Sequence, residues 1–226
     1  MPNSSLTIHP FWFVISRLGE AQILLPAGLC FAWWLARRIE ARPLVQWWLS
    51  LVAVGAFITT ATKVAFIGWG IGSATLDFTG VSGHAMFSSA VYPLLGAAIA
   101  SSRPRRWQRV EVAAGGALAL LIGVSRVAVG AHSPSEVLAG LLLGGAASAV
   151  ALSFAHTPNA RVPLLLPVGL AVWLAITPAA APPSQTHDMV TRLALALSGR
   201  TAPHTRDDMM RAHGLIRQQA RAEVLR

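Results

Sequence analysis

The chain has 226 residues, 54% of them hydrophobic and only 12% charged, whereas a soluble domain carries roughly 25% charged residues. That balance excludes an ordinary soluble protein. Lys and Arg outnumber Asp and Glu 18 to 9, a net charge of +9; such an excess can serve nucleic acid, but here the charges sit in short segments between apolar runs, which points to a membrane instead.

The N-terminal MPNSSLTIHP lacks the positive charge of a secretory signal, and the first apolar run leads into Ala36-Arg37-Arg38 rather than a small-residue cleavage site, so no cleaved leader is expected. A spanning helix needs about 20 mostly apolar residues. Residues 21–36, 43–62, 85–102, 137–155 and 162–186 contain no Asp, Glu, Lys or Arg, and 112–125 reaches spanning length if Val110 and Glu111 sit at one interface and Arg126 at the other. The prediction is an all-α polytopic membrane protein: a six-transmembrane-helix bundle over residues 1–181, followed by a basic, partly helical tail over 182–226.

Within the runs, Gly140-Leu-Leu-Leu-Gly144 is a small-xxx-small face of the kind that lets helices approach closely. Cys30 is placed in an apolar run as a small hydrophobe. Trp12, Trp47, Trp48 and Trp69 read as interfacial anchors. In the tail, Met189, Leu193 and Leu197 repeat at helical spacing and Gly199 can stop that helix, while Thr205 and Asp208 read as a capping box opening a second one. A basic amphipathic helix of this kind suits anionic lipid; a solvated, partly disordered tail is the equal alternative.

Loop charges set orientation. Arg37, Arg38, Arg42, Arg103, Arg105, Arg106, Arg109 and Arg161 fall on one side, against Arg17, Lys63 and Arg126 on the other. Basic short loops favour the cytoplasm, so both termini are expected outside. Arg192, close to the last run, runs mildly against this assignment.

Ionisable residues near a membrane are functional candidates by default. Lys63 ends the second run, Asp77-Phe-Thr-Gly-Val-Ser-Gly-His84 opens the third, and Ser125-Arg126, His132 and Glu136 lie between the fourth and fifth. In a bundle these segments return to one face. Arg126 and Lys63 together make an anion site. Ser82 and Gly83 stand at a helix N-terminus, where free N–H groups attract anions. His84 and His132 supply the two roles of phosphoryl transfer, attack and protonation of the leaving oxygen. Glu136, one turn beyond His132, can accept the other ring N–H and fix the tautomer. Asp77 either orients a cation of the site or is a solvated loop acid. The other histidines, His9, His156, His187, His204 and His213, read as interfacial polar residues.

Ser125-Arg126-Val-Ala-Val-Gly-Ala-His132-Ser-Pro-Ser-Glu136 resembles the third motif of the type 2 phosphatidic acid phosphatases, and Val81-Ser82-Gly83-His84 resembles their second motif. Lys63 stands where their first begins. The resemblance implies metal-independent dephosphorylation without a cofactor, with His132 as nucleophile forming a phosphohistidine, Glu136 in place of the orienting Asp, and His84 protonating the leaving group. Lys63, Ser82, Gly83 and Arg126 would bind the phosphate. Three departures stand out: Gly70 and Ile71 replace the Arg-Pro that ends the first motif, Val81 replaces the Pro of the second, and Glu136 replaces Asp. An outward site suits amphiphiles with an exposed phosphate at a bacterial inner membrane, facing the periplasm. Phosphatidic acid, phosphatidylglycerol phosphate, a polyprenyl pyrophosphate and a lipid A phosphate all fit.

Three rival readings remain at this level. Gly80-Val81-Ser82-Gly83 resembles the G-x-S-G of rhomboid intramembrane proteases, with His132 as base. His84, His132, Glu136 and Asp77 are also possible metal ligands, though no second acidic cluster supports them. A non-catalytic protein could use the same polar face to hold a lipid head group.

Overall fold

The computed structural model describes residues 9–154, 162–163, 165–180 and 185–224. It is all-α. The helices are α1 (His9–Arg17), α2 (Ala21–Ala36), α3 (Arg42–Trp69), α4 (Gly83–Ile99), α5 (Arg105–Ala128), α6 (Pro134–Phe154), α7 (Leu165–Ala180), α8 (Thr186–Ser198) and α9 (Arg206–Val224), with a 3-10 turn at Ile39–Ala41. Among the described residues extended pairing is limited to one bridge, Ser73 with Phe78, in the loop before α4.

Each of the six apolar runs folds as a helix, α2 to α7. By length and composition three segments can cross a membrane, Ile39–Trp69, Arg105–Ala128 and Pro134–Phe154; a fourth is the pair formed by α1 and α2, which bends by 42° at Leu18–Glu20. The count of six full spans is therefore not reproduced. α4, with 17 residues, rises only about 25 Å at 1.5 Å per residue. Elsewhere the apolar surface turns outward: Val54 and Phe57 on α3, Leu120 and Val124 on α5, and Leu138 and Leu142 on α6 are exposed. Lipid is the solvent that such a surface fits, and the chain is an integral membrane protein by this character.

α4 is the axis of the bundle, buried continuously from Ser88 to Ala98. Its small residues let α5 and α6 close on it. At Gly140 of α6 an added Cβ would lie 2.5 Å from the Ser82 carbonyl oxygen, and at Gly144 it would overlap the Met86 carbonyl. The small-xxx-small face is thus the seam between α6 and the start of α4, and it brings the two ends that carry chemistry side by side. Ser148 Oγ donates to Ser89 O at 3.0 Å along the same seam. Trp48 does not sit at an interface: it is buried, and its Nε1 donates to Ala90 O at 2.8 Å, because α3 needs a bulky side chain to reach α4. Trp47 and Trp69 are half exposed. Cys30 is exposed on α2.

The tail is helical and docked. Gly199 caps α8 in the left-handed conformation (φ 68°), and Thr205 and Asp208 exchange reciprocal hydrogen bonds at the start of α9. The face α8 buries is Val190 and Ala194, against Val64, Phe66 and Ile67 of α3. Met189, Leu193 and Leu197 point away and are exposed.

Candidate active site

The site forms where four segments end. α3 delivers Lys63 and then stops at Gly70, whose left-handed φ of 70° caps the helix, a geometry that favours glycine. The following loop returns along Lys63 and is tied down by Val81 N donating to Thr62 Oγ1 at 3.2 Å. α4 opens with His84. α5 comes back with Arg126 in its last turn, and the N–H groups of Ala131 and His132 both donate to Arg126 O, at 3.0 and 3.2 Å. That hairpin, with Gly130 at φ 69°, folds His132 over Arg126 before α6 begins.

Lys63, His84, Arg126, His132 and Glu136 all line one cavity of about 550 Å³. His132 Nδ1 lies 2.6 Å from Glu136 Oε2. Glu136 is fully buried and every lone-pair direction is occupied: Oε1 accepts from Thr79 N at 2.7 Å, Thr79 Oγ1 at 2.5 Å and Arg206 Nη2 at 2.8 Å, while Oε2 also accepts from Ser133 N at 3.2 Å. A buried carboxylate so saturated stays ionised and cannot swing. Its partner His132 sits in the turn outside the helices, where burial pushes the imidazole below the ordinary histidine range, against the opposing pull of the Glu136 hydrogen bond.

The same cavity is lined by two cations, Lys63 and Arg126, that make no ion pair among the described residues. Arg126 Nη1 donates to Ser16 Oγ at 2.5 Å, but its buried Nε has no partner, and neither has the buried Ser82 hydroxyl. Lys63 takes part in none of the ion pairs among the described residues. Unpaired buried donors are costly in a folded protein, and an anion in the cavity lined by Lys63 and Arg126 would be met by both cations. Ser82 and Gly83, expected to bind phosphate, are not on the cavity wall. Ser82 N–H is already given to Glu136 O at 3.1 Å, because close packing of α4 on α6 takes that donor.

Several residues reach the cavity that sequence reasoning placed elsewhere or passed over. His187, Thr191, His204 and Arg206, all from the tail, form its far wall; of these, His187 and His204 are not mere interfacial residues. Asp77 orients a cation, since its carboxylate pairs with Arg206. Thr79 had no signal beyond its place in the segment before His84. His156 lies outside the described residues. Ser82 Oγ has no histidine partner, so the serine-protease pairing is not formed. Among the described residues no group of three or more His, Cys, Asp or Glu is arranged to hold a metal ion.

A helical membrane protein with a histidine–carboxylate pair facing clustered, unpaired cations is the class that fold and site define. A family model described as the PAP2 superfamily matches residues 68–160. An "Uncharacterized 22.5 kDa protein in cps region" of Klebsiella pneumoniae is 39% identical over 141 residues, covering 62% of this chain and 68% of that protein. No solved structure matches. The chain belongs to the PAP2 superfamily, and membership implies phosphatase activity on phosphate esters.

Proposed function

We propose that the protein removes phosphate from a membrane lipid phosphate ester or pyrophosphate, without a metal, at the outer face of the membrane. The observation that carries this reading is the pairing of His132 with Glu136 in one cavity with Lys63 and Arg126, two cations outside any ion pair among the described residues. In the first step, His132 Nε2 donates its electron pair to phosphorus as the bond to the lipid oxygen breaks. His84 gives that oxygen its proton. Glu136 accepts the Nδ1–H and stabilises the positive charge that develops on the ring. In the second step a water oxygen attacks phosphorus, the P–N bond breaks, and the water proton returns to His84. Lys63 and Arg126 counter the charge that accumulates on the equatorial oxygens in the transition state. The eight arginines of the opposite loops favour the cytoplasm, which supports an outward-facing, periplasmic site.

The test is phosphate release by detergent-solubilised full-length protein from phosphatidic acid, phosphatidylglycerol phosphate, a polyprenyl pyrophosphate and a lipid A phosphate, with chelator present. Release from one of them, inhibited by orthovanadate and abolished in His132→Ala, is the expected result; robust turnover by the alanine variant overturns the mechanism. A reporter fused after Arg226 is expected to register the exterior.

A further inference from the structure

The first motif of the family carries an arginine where this chain has Gly70, so one guanidinium is missing from the expected anion site. The space that side chain would enter is filled by the tail. A Cβ added at Gly70 would lie 3.3 Å from the His204 imidazole, and His204 N–H donates to Ile67 O at 3.0 Å. A residue with a side chain at position 70 and a docked tail therefore compete for one volume. Two residues beyond His204, α9 begins with Arg206, its start fixed by the Thr205–Asp208 capping box.

Arg206 does not point to solvent at large. Its Nη2 lies 2.8 Å from Glu136 Oε1 and 3.2 Å from Thr79 Oγ1, and Nη1 donates to Asp77 O at 3.1 Å while pairing with the Asp77 carboxylate. Asp77 reaches it from a left-handed backbone position, φ 50°, uncommon for a residue with a side chain. Such a conformation is kept where surrounding contacts over-determine it; here these are the Arg206 contacts together with the Ser73–Phe78 bridge and the Asp77 N–H bond to Ala74 O.

We propose that Arg206 is a positioning residue of the active site, acting on His132 through Glu136 from a tail that docks in the space left open by the absent side chain at position 70. Held at Oε1 by a charged donor, the carboxylate keeps Oε2 aligned on the imidazole. Thr79 alone would offer only neutral donors to Oε1, and charge-assisted bonds are roughly twice as strong as neutral ones. The effect on turnover rests on the reaction proposed above; the coupling from Arg206 to His132 does not.

The experiment compares full-length wild type, Arg206→Ala, Arg206→Lys and Gly70→Ala in detergent, by phosphate release and by the titration of His132 in ¹⁵N-histidine NMR, its signal assigned by loss in His132→Ala. Lys63 from α3, Asp77 from the loop, His84 from α4, Arg126 from α5 and His187 and His204 from the tail also line or border the cavity, and none of them is substituted in these variants. In Arg206→Ala, kcat is expected to fall about tenfold with KM within about twofold, and His132 to titrate at lower pH, because a misaligned Glu136 supports the imidazolium less well. Arg206→Lys should restore part of both. Gly70→Ala should move both in the same direction by displacing His204, without altering a polar group. His132 titration unchanged in Arg206→Ala overturns the proposal, even if thermal stability falls, since a purely structural role lowers stability alone. A rise in KM with kcat unchanged also overturns it, making Arg206 a phosphate contact. If wild type releases no phosphate, the reaction assigned above fails, while the NMR titration still decides the coupling.

Discussion

His132 Nδ1 and Glu136 Oε2 lie 2.6 Å apart, at adjoining turns of the same hairpin. They sit four residues apart, His132 in the turn before α6 and Glu136 in the first turn of α6. The carboxylate is positioned to choose which ring nitrogen carries the proton and to leave Nε2 free toward the cavity.

Replacing Glu136 by Gln keeps the shape but removes the charge and offers an N–H where an acceptor is needed. Phosphate release is expected to fall by about 10³- to 10⁴-fold, by analogy with loss of the orienting carboxylate in a hydrolytic triad. A steady-state assay of Glu136→Gln checks this, with circular dichroism to confirm that the helices remain. A loss smaller than about tenfold would mean that the carboxylate only packs.

The pH profile follows from His132. Burial holds its imidazole below the ordinary histidine range, so it stays neutral, and able to attack, further into acid than a free histidine. The acid limb of kcat/KM is expected below about pH 6.5, the unperturbed value. The same shift bears on stability. Between the folded value and about 6.5 the unfolded chain binds more protons than the folded one, so the stability present above 6.5 is lost as pH falls through that window. A limb at or above 6.5 would contradict the burial argument.

A packing variant should damage the site without touching it. In Gly140→Val the new side chain meets Ser82 O, where even a Cβ lies at 2.5 Å; overpacking of this kind costs about 1–3 kcal/mol. Because Ser82 and Glu136 are joined across that seam, activity should fall together with thermal stability. Gly145→Ala faces open space and should leave both within error. Equal behaviour of the two variants would separate the seam from catalysis.

Much of this was legible in the sequence. Uncharged runs mark α2 to α7 because a chain in lipid must satisfy its backbone within helices, and His84, Arg126, His132 and Glu136 come to one cavity because each falls at or next to a helix end on one face. Gly140 and Gly144 announced their seam by spacing alone. What escaped is long-range. Trp48 looks like any interfacial tryptophan until α4 is seen beside it. Ser82 reads as a phosphate donor until α6 is found to take its N–H. His187, His204 and Arg206 lie far down the chain from the motifs, and no local pattern links them to the site. The capping box located the start of α9, but what that helix start would touch depended on how α8 lies along α3.

Glu136 receives Arg206 from 70 positions downstream. A growing chain at about 5–20 residues per second therefore exposes both histidines and the carboxylate several seconds before α9 has been made. During that interval the hairpin of α5 and α6 can insert and pack while the carboxylate lacks its cation. The geometry of the site is completed last, after the bundle that supports it, and a ribosome halted before α9 would leave a membrane-inserted chain whose Glu136 is held by neutral donors and His132 alone.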